Sequence, residues 1–135
     1  TTDSERLEAV VNGFNNEYGI QVGILSMYDS MLKWQNQNHN LTIKFEDLVG
    51  EKGGGKNDLQ FITVKKIITH LGLLDNYSIQ DIVDIGLNSF GKTSTFRVGK
   101  IGKWNDSLSQ KDKNMCKKNL GDLLVKLSYE LDYKH

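Results

Sequence analysis

The residues of this chain best suited to chemistry lie between Gly86 and Trp104, where four glycines, Arg97 and three lysines occur with no acidic residue. Neither helical nor alternating hydrophobic spacing runs through this stretch, so it reads as a loop. Glycines let a backbone approach a ligand and turn its N–H groups outward, while an arginine presents a planar fork to a phosphate. The chemistry implied is anion binding. Formally, Gly86-x-x-x-x-Gly91-Lys92-Thr93 satisfies the Walker A pattern of nucleoside triphosphate sites. That pattern works when a buried strand enters the loop and a helix leaves it, so that the helix N-terminus faces the phosphates. Here Ile79, Ile82, Val83 and Leu87 are spaced for a helix that runs through Gly86, and β-branched residues with two more glycines follow Thr93. A P-loop nucleotide-binding module through Gly86–Thr93 is therefore the alternative rather than the first choice.

A second near-match, Gly50-Glu51-Lys52-Gly53-Gly54-Gly55-Lys56-Asn57, fails at Asn57, where Ser or Thr would bind the metal. Its three consecutive glycines suggest a loose surface loop, and Glu46, Asp47 and Glu51 would repel a triphosphate. His39 falls in a polar loop and His70 beside an apolar helical stripe, neither with a partner that would make it catalytic. The one cysteine, Cys116, excludes an internal disulfide or a cysteine zinc cluster and points to a reducing compartment. No catalytic residue and no metal ligand is assigned.

The elements that must position the loop are mostly helical. Thr2 and Glu5 have capping-box spacing before a stripe of Leu7, Val10, Val11 and Phe14, and a second helix is expected from about Val22 to Gln35, burying Ile24, Leu25, Tyr28, Met31 and Leu32. Leu41-Thr42-Ile43-Lys44-Phe45 is the one clear strand. Asn57 or Asp58 caps a helix carrying Phe61, Val64, Ile68 and Leu71, which Gly72 ends. Ser78 with Asp81 starts a short helix leading into the central loop, which Trp104 is expected to anchor on the core. Ser109 with Asp112 starts a last helix with Met115, Leu120, Leu123, Leu124 and Leu127 inward.

The chain has 135 residues, enough for one domain, and residues 1–135 are read as a single unit. Its formal net charge is zero, which gives no drive toward nucleic acid or a membrane surface. Charge is nevertheless uneven: Gly91 to Lys118 holds eight lysines and arginines against Asp106 and Asp112. On Lys111 to Lys118 this excess reads as a solvated helix face. A helical interaction domain with a basic face is a further alternative.

Phe96-Arg97-Val98-Gly99-Lys100-Ile101-Gly102-Lys103-Trp104 resembles the Phe-Arg-Lys-Gly-x-x-Gly-Asp-Trp signature of the PAPS-dependent sulfotransferases, with Val98 in place of lysine and Lys103 in place of aspartate. Asn88-Ser89-Phe90 resembles that family's Thr-Ser-Phe segment, and Leu41 to Leu48 resembles its Val-x-Arg/Lys-Tyr/Phe-Glu-Asp-Leu strand and turn. The resemblance runs from about Leu41 to Tyr129 and more loosely through the first forty residues. It implies an α/β fold, the C-terminal, mostly helical portion of a P-loop-type sulfotransferase. It implies a donor site for 3′-phosphoadenosine 5′-phosphosulfate (PAPS) or its product 3′,5′-adenosine bisphosphate, with Asn88, Ser89 and Phe90 along the adenine and Phe96, Arg97, Val98 and Gly99 at the 3′-phosphate.

The family's phosphosulfate loop and catalytic base have no match here. The chain, which opens at Thr1 rather than methionine, thus reads as a fragment that needs the N-terminal half of the same enzyme and a small-molecule acceptor. It is expected to be inactive alone, cytoplasmic, and without nucleic-acid or membrane partners.

Overall fold

The computed structural model describes residues 2–17, 19–35, 37–89 and 99–129. They are mostly helical, with one small antiparallel hairpin among the described residues. The chain divides into two compact units, one formed by Thr1–Asn38 with Asp106–His135 and the other by His39–Asn105.

In the first unit, helix α1 (Asp3–Asn12) opens on the capping box that Thr2 and Glu5 predict. The Thr2 hydroxyl accepts from Glu5 N at 3.2 Å while Thr2 N donates to the Glu5 carboxylate at 2.8 Å. The predicted stripe does not run on through Phe14. Gly13, at φ +76°, turns the chain straight into a hairpin of β1 (Gly13–Asn16) and β2 (Gly19–Val22), so Phe14 lies on a strand. Gly13 is forced here as well as favoured, since a Cβ would sit 2.5 Å from Gln21 O. Of the expected set, Val11 is the buried member, at 2% exposure.

Helix α2 spans Ile24–Gln35, and the burial expected of Leu25 and Met31 is not found: no residue of α2 is fully buried and both of these are exposed. Ile24, Tyr28 and Leu32 are half-buried.

Helix α7 (Gln110–Lys126) also begins as its sequence predicts, with the Ser109 hydroxyl accepting from Asp112 N at 3.2 Å and donating to the Asp112 carboxylate at 2.6 Å. The other oxygen of that carboxylate accepts from the Ser4 hydroxyl of α1, so one capping residue also ties two helices together. Further along, Asn119 Nδ2 donates to Asn12 Oδ1 at 2.8 Å. Leu123 and Gly121 are buried, and Met115, Leu120, Leu124 and Leu127 are half-buried. Cys116 is half-buried; burial first, then the charge of Asp112, push its thiol up, which disfavours the reactive thiolate.

In the second unit the predicted strand Leu41–Phe45 is absent. Residues 41–44 carry no regular structure, and Phe45 opens the single-turn helix α3 (Phe45–Leu48). A β-rich segment becomes a strand only where another strand accepts its backbone hydrogen bonds, and the strands among the described residues pair with each other in the other unit. Val64 and Ile68 of α4 (Asn57–His70) and Ile82 of α5 (Ile79–Ser89) form the core, with Leu48, Phe61, Leu74 and Ile85 packed around them. Leu71, expected on that stripe, is instead the C-cap and is exposed. As predicted, Gly72 follows at φ +70°. Ser78 and Asp81 cap α5 reciprocally: Ser78 N donates to the carboxylate at 2.8 Å and the Ser78 hydroxyl accepts from Asp81 N at 3.2 Å.

The pivot of this unit is Gln60, buried at 5% exposure. Its Nε2 donates to Leu48 O at 2.8 Å and to Gly86 O at 3.1 Å, so one amide closes the ends of two helices onto a third. Replacing it with the similarly sized leucine leaves both carbonyls without that donor. Gln60→Leu is expected to lower stability by about 2–4 kcal/mol in urea unfolding.

The Asp112 carboxyl is held below the usual carboxylate range by hydrogen bonds from the hydroxyls of Ser109 and then Ser4, against an ordinary value of 3.8. A carboxyl whose folded pKa is depressed adds stability above its unfolded value and loses it as pH falls through the folded one. The Tm deficit of Asp112→Asn relative to the wild type is therefore expected to be largest near about pH 6 and to shrink as pH falls well below 3.8.

Candidate functional site

The candidate site belongs to the second unit and begins at the last turn of α5. There, four consecutive carbonyls each accept a hydrogen bond from a side chain. Asn88 Nδ2 donates to Asp84 O at 2.9 Å and the Ser89 hydroxyl to Ile85 O at 2.5 Å. Gln60 donates to Gly86 O at 3.1 Å, and Lys52 Nζ reaches Leu87 O at 3.1 Å from thirty-five residues away. A helix leaves its final carbonyls short of partners, and they carry its partial negative charge. Gln60 and Lys52 meet that need at Gly86 O and Leu87 O, which are among the last four carbonyls of α5, while Asn88 and Ser89 bond back to carbonyls one turn earlier.

Lys52 sits on the one-turn 3₁₀ helix Glu51–Gly53, in the middle of the glycine run. The next residue, Gly53, is buried, and its carbonyl accepts from Ile101 N at 2.9 Å. Lys52 and Gly53 thus touch both sides of the central stretch, Leu87 before it and Ile101 after it. The approach is close: a Cβ on Gly53 would meet Val49 Cβ at 2.6 Å and Gly99 O at 3.0 Å. Gly99 (φ +52°) and Gly102 (φ +74°) bend the returning chain, and Asn105 N donates to Gly102 O at 2.9 Å as the short helix α6 (Trp104–Ser107) begins.

The looseness expected of the glycine run is therefore overturned. Gly50 is buried at φ +61°, and a Cβ there would lie 2.6 Å from Gln60 Oε1. Gly53 N and Gly55 N donate to Gly50 O, and Gly54 N donates to Glu51 O, so these N–H groups are spent inside the turn rather than turned toward a phosphate. Asn57 Oδ1, standing where a Walker motif needs a hydroxyl, accepts from Glu51 N at 3.1 Å. Nor does the first Walker string have its entering strand: Gly86 lies inside α5, buried, with Gln60 packed on it.

Of the sequence-predicted site residues, Asn88 and Ser89 are exposed on the end of α5 and Gly99 is half-buried beside Gly53. Phe90, Phe96, Arg97 and Val98 lie outside the described residues. Trp104 does not anchor the loop in the core; it opens α6 at 60% exposure, because the turn at Gly102 delivers it to the surface. His39 and His70 are exposed.

Ser89 borders two concavities. An open hollow of about 450 Å³ runs along Tyr77, Asp81, Asp84 and Asn88, and a groove of about 320 Å³ is lined largely by apolar residues of α3, α4 and α5. The Asp81 carboxyl is held below the usual carboxylate range by the hydroxyl and then the backbone N–H of Ser78, so the hollow is negative at neutral pH and suits an amine-bearing group better than a phosphate. Among the described residues no cluster of three or more His, Cys, Asp or Glu could hold a metal ion, and no helix is long and apolar enough to cross a membrane.

Sequence reading missed Lys52 and Gly53. The signal was present in the glycine run, which is needed for close backbone approach rather than for freedom. Gly53→Ala is expected to cost about 1–3 kcal/mol through crowding against Val49 and to raise amide exchange at Ile101, as read by denaturant unfolding and hydrogen exchange. No family model matches this chain, and no curated protein and no solved structure matches it either.

Proposed function

We propose that this chain is the C-terminal half of a PAPS-dependent sulfotransferase and that it supplies the adenine and 3′-phosphate side of the donor site. The observation that carries this is the run Phe96 to Trp104, with Arg97, Gly99 and Gly102 at the signature positions and Asn88-Ser89-Phe90 upstream. The surroundings of the described residues support it. The Ser89 hydroxyl donates its one hydrogen bond to Ile85 O, so it meets a ligand as an acceptor, as the 6-amino group of adenine requires. The carboxyls beside Asn88 favour that same amine. On the other flank Gly99 holds a positive φ, which lets backbone approach an anion closely, and Arg97 is two residues away.

PAPS supplies the sulfuryl group, which passes from its 5′-phosphate oxygen to an acceptor hydroxyl or amine. The residues here orient the donor and make no contact with the reacting atoms. The remaining catalytic parts are assigned to an N-terminal half of the same enzyme. A partner of that kind fits the first unit, where Ile20, Met31 and Trp34 are exposed and α2 buries no residue fully.

Calorimetric titration tests the proposal. The chain is expected to bind 3′,5′-adenosine bisphosphate in preference to ATP and to inorganic phosphate. Arg97→Ala should weaken it by about 10- to 100-fold, as expected for loss of a charged hydrogen-bonding group. The chain alone should transfer no sulfuryl group from PAPS. Preference for ATP together with loss on Lys92→Ala would instead favour the nucleotide-binding module. Phosphate competing as well as the bisphosphate would favour a basic interaction surface.

A further inference from the structure

We propose that Lys52 is a positioning residue for the donor site, holding the purine flank and the phosphate flank of the central stretch at a set separation. This rests on the sulfotransferase reading above. Lys52 Nζ donates to Leu87 O at 3.1 Å, directly before Asn88 and Ser89. Its neighbour Gly53 accepts from Ile101 N at 2.9 Å, directly after Gly99 and Lys100. Two adjacent residues therefore bind the two flanks, and the turn that carries them is closely packed: a Cβ at Gly50 would lie 2.6 Å from Gln60 Oε1 and one at Gly53 2.6 Å from Val49 Cβ.

A nucleoside bisphosphate presents its base and its 3′-phosphate at a separation fixed largely by the ribose. A receptor whose two contact points are already spaced avoids the ordering cost of binding. Only ligands that engage both flanks gain from this. The ammonium acts electrostatically as well: a helix C-terminus carries about half a negative charge, which opposes an anion nearby, and Lys52 places a cation on that end.

The test compares wild type, Lys52→Met, which keeps the aliphatic stem, and Lys52→Arg, which restores a cationic donor. Each is titrated with 3′,5′-adenosine bisphosphate and with adenosine, a ligand for the purine flank alone, and amide exchange is measured on the free proteins. Lys52→Met is expected to weaken the bisphosphate by about five- to tenfold and adenosine by less than twofold. It should also speed exchange in the free protein at Ile101 by a similar factor, and Lys52→Arg should recover most of both.

Wild-type binding with Lys52→Met binding equally well overturns the role of Lys52 and leaves the donor-site reading standing. Weakened bisphosphate binding with unchanged exchange at Ile101 also overturns positioning, because the ammonium would then act by direct contact with the ligand. Failure of the wild type to bind the bisphosphate overturns the donor-site reading, and the role of Lys52 with it. A Tm for Lys52→Met within about 2 °C of wild type separates these outcomes from general loss of fold.

Discussion

The end of a helix is an electrostatic problem before it is a structural one, and the last turn of α5 is where this chain meets it. Carbonyls 84 to 87 each take a side-chain donor, from Asn88, Ser89, Gln60 and Lys52. Two of these donors are local and come with the helix itself. The other two reach in from distant sequence and determine what surrounds the helix end. Because Gln60 must reach both Leu48 O and Gly86 O, the space beside it has no room for a Cβ at Gly50 and little at Gly86. Glycine at 50 permits the positive φ that starts the 51–53 turn, and that turn delivers Lys52 to Leu87. One buried amide thus explains two glycines, the turn between α3 and α4, and the placement of a lysine.

The first unit repeats the device with a carboxylate in place of an amide. Asp112 is recruited by Ser109 as half of a capping box, a purely local arrangement, and then shares its second oxygen with Ser4 on α1. A group already fixed by its own helix loses little further conformational freedom when it also binds a neighbour. Cross-links of this kind matter in a unit whose fully buried apolar residues, among those described, are Val11 and Leu123. Polar ties between α1 and α7 do part of the holding that a larger apolar core would otherwise do alone.

What could be read from sequence follows the same division. The boxes at Thr2 and Glu5, Ser78 and Asp81, and Ser109 and Asp112 were all legible, because a capping box closes within four residues and needs nothing from the rest of the fold. Helices α4 and α7 were legible from their apolar spacing. The strand at Leu41–Phe45 was misread because a strand is defined by a partner, and local β propensity cannot supply one. The α1 stripe was carried too far for a related reason: Phe14 continues the helical spacing, but Gly13 lets a hairpin compete, and tertiary pairing decided. In the candidate site, Asn88 and Ser89 at a helix end were legible. The clamp from Lys52 and Gly53 was not, since glycines needed for tight packing and glycines needed for freedom look identical in a sequence.

That ambiguity bears on how an anion loop is to be recognised. A glycine-rich run offers N–H groups to a phosphate only if they are not already bonded, and in the 50–55 turn those of Gly53, Gly54 and Gly55 are bonded to Gly50 O and Glu51 O. The same residue type therefore serves opposite ends in two neighbouring segments. At Gly53 it allows one segment to lie flat against another, which a Cβ 3.0 Å from Gly99 O would prevent. At Gly99, beyond that contact, a φ of +52° turns the chain. The glycine-dense 50–55 turn is thus a support: its own N–H groups are spent, and it holds the segment that returns through Gly99 to Ile101. Counting glycines does not separate the two; accounting for where each N–H goes does.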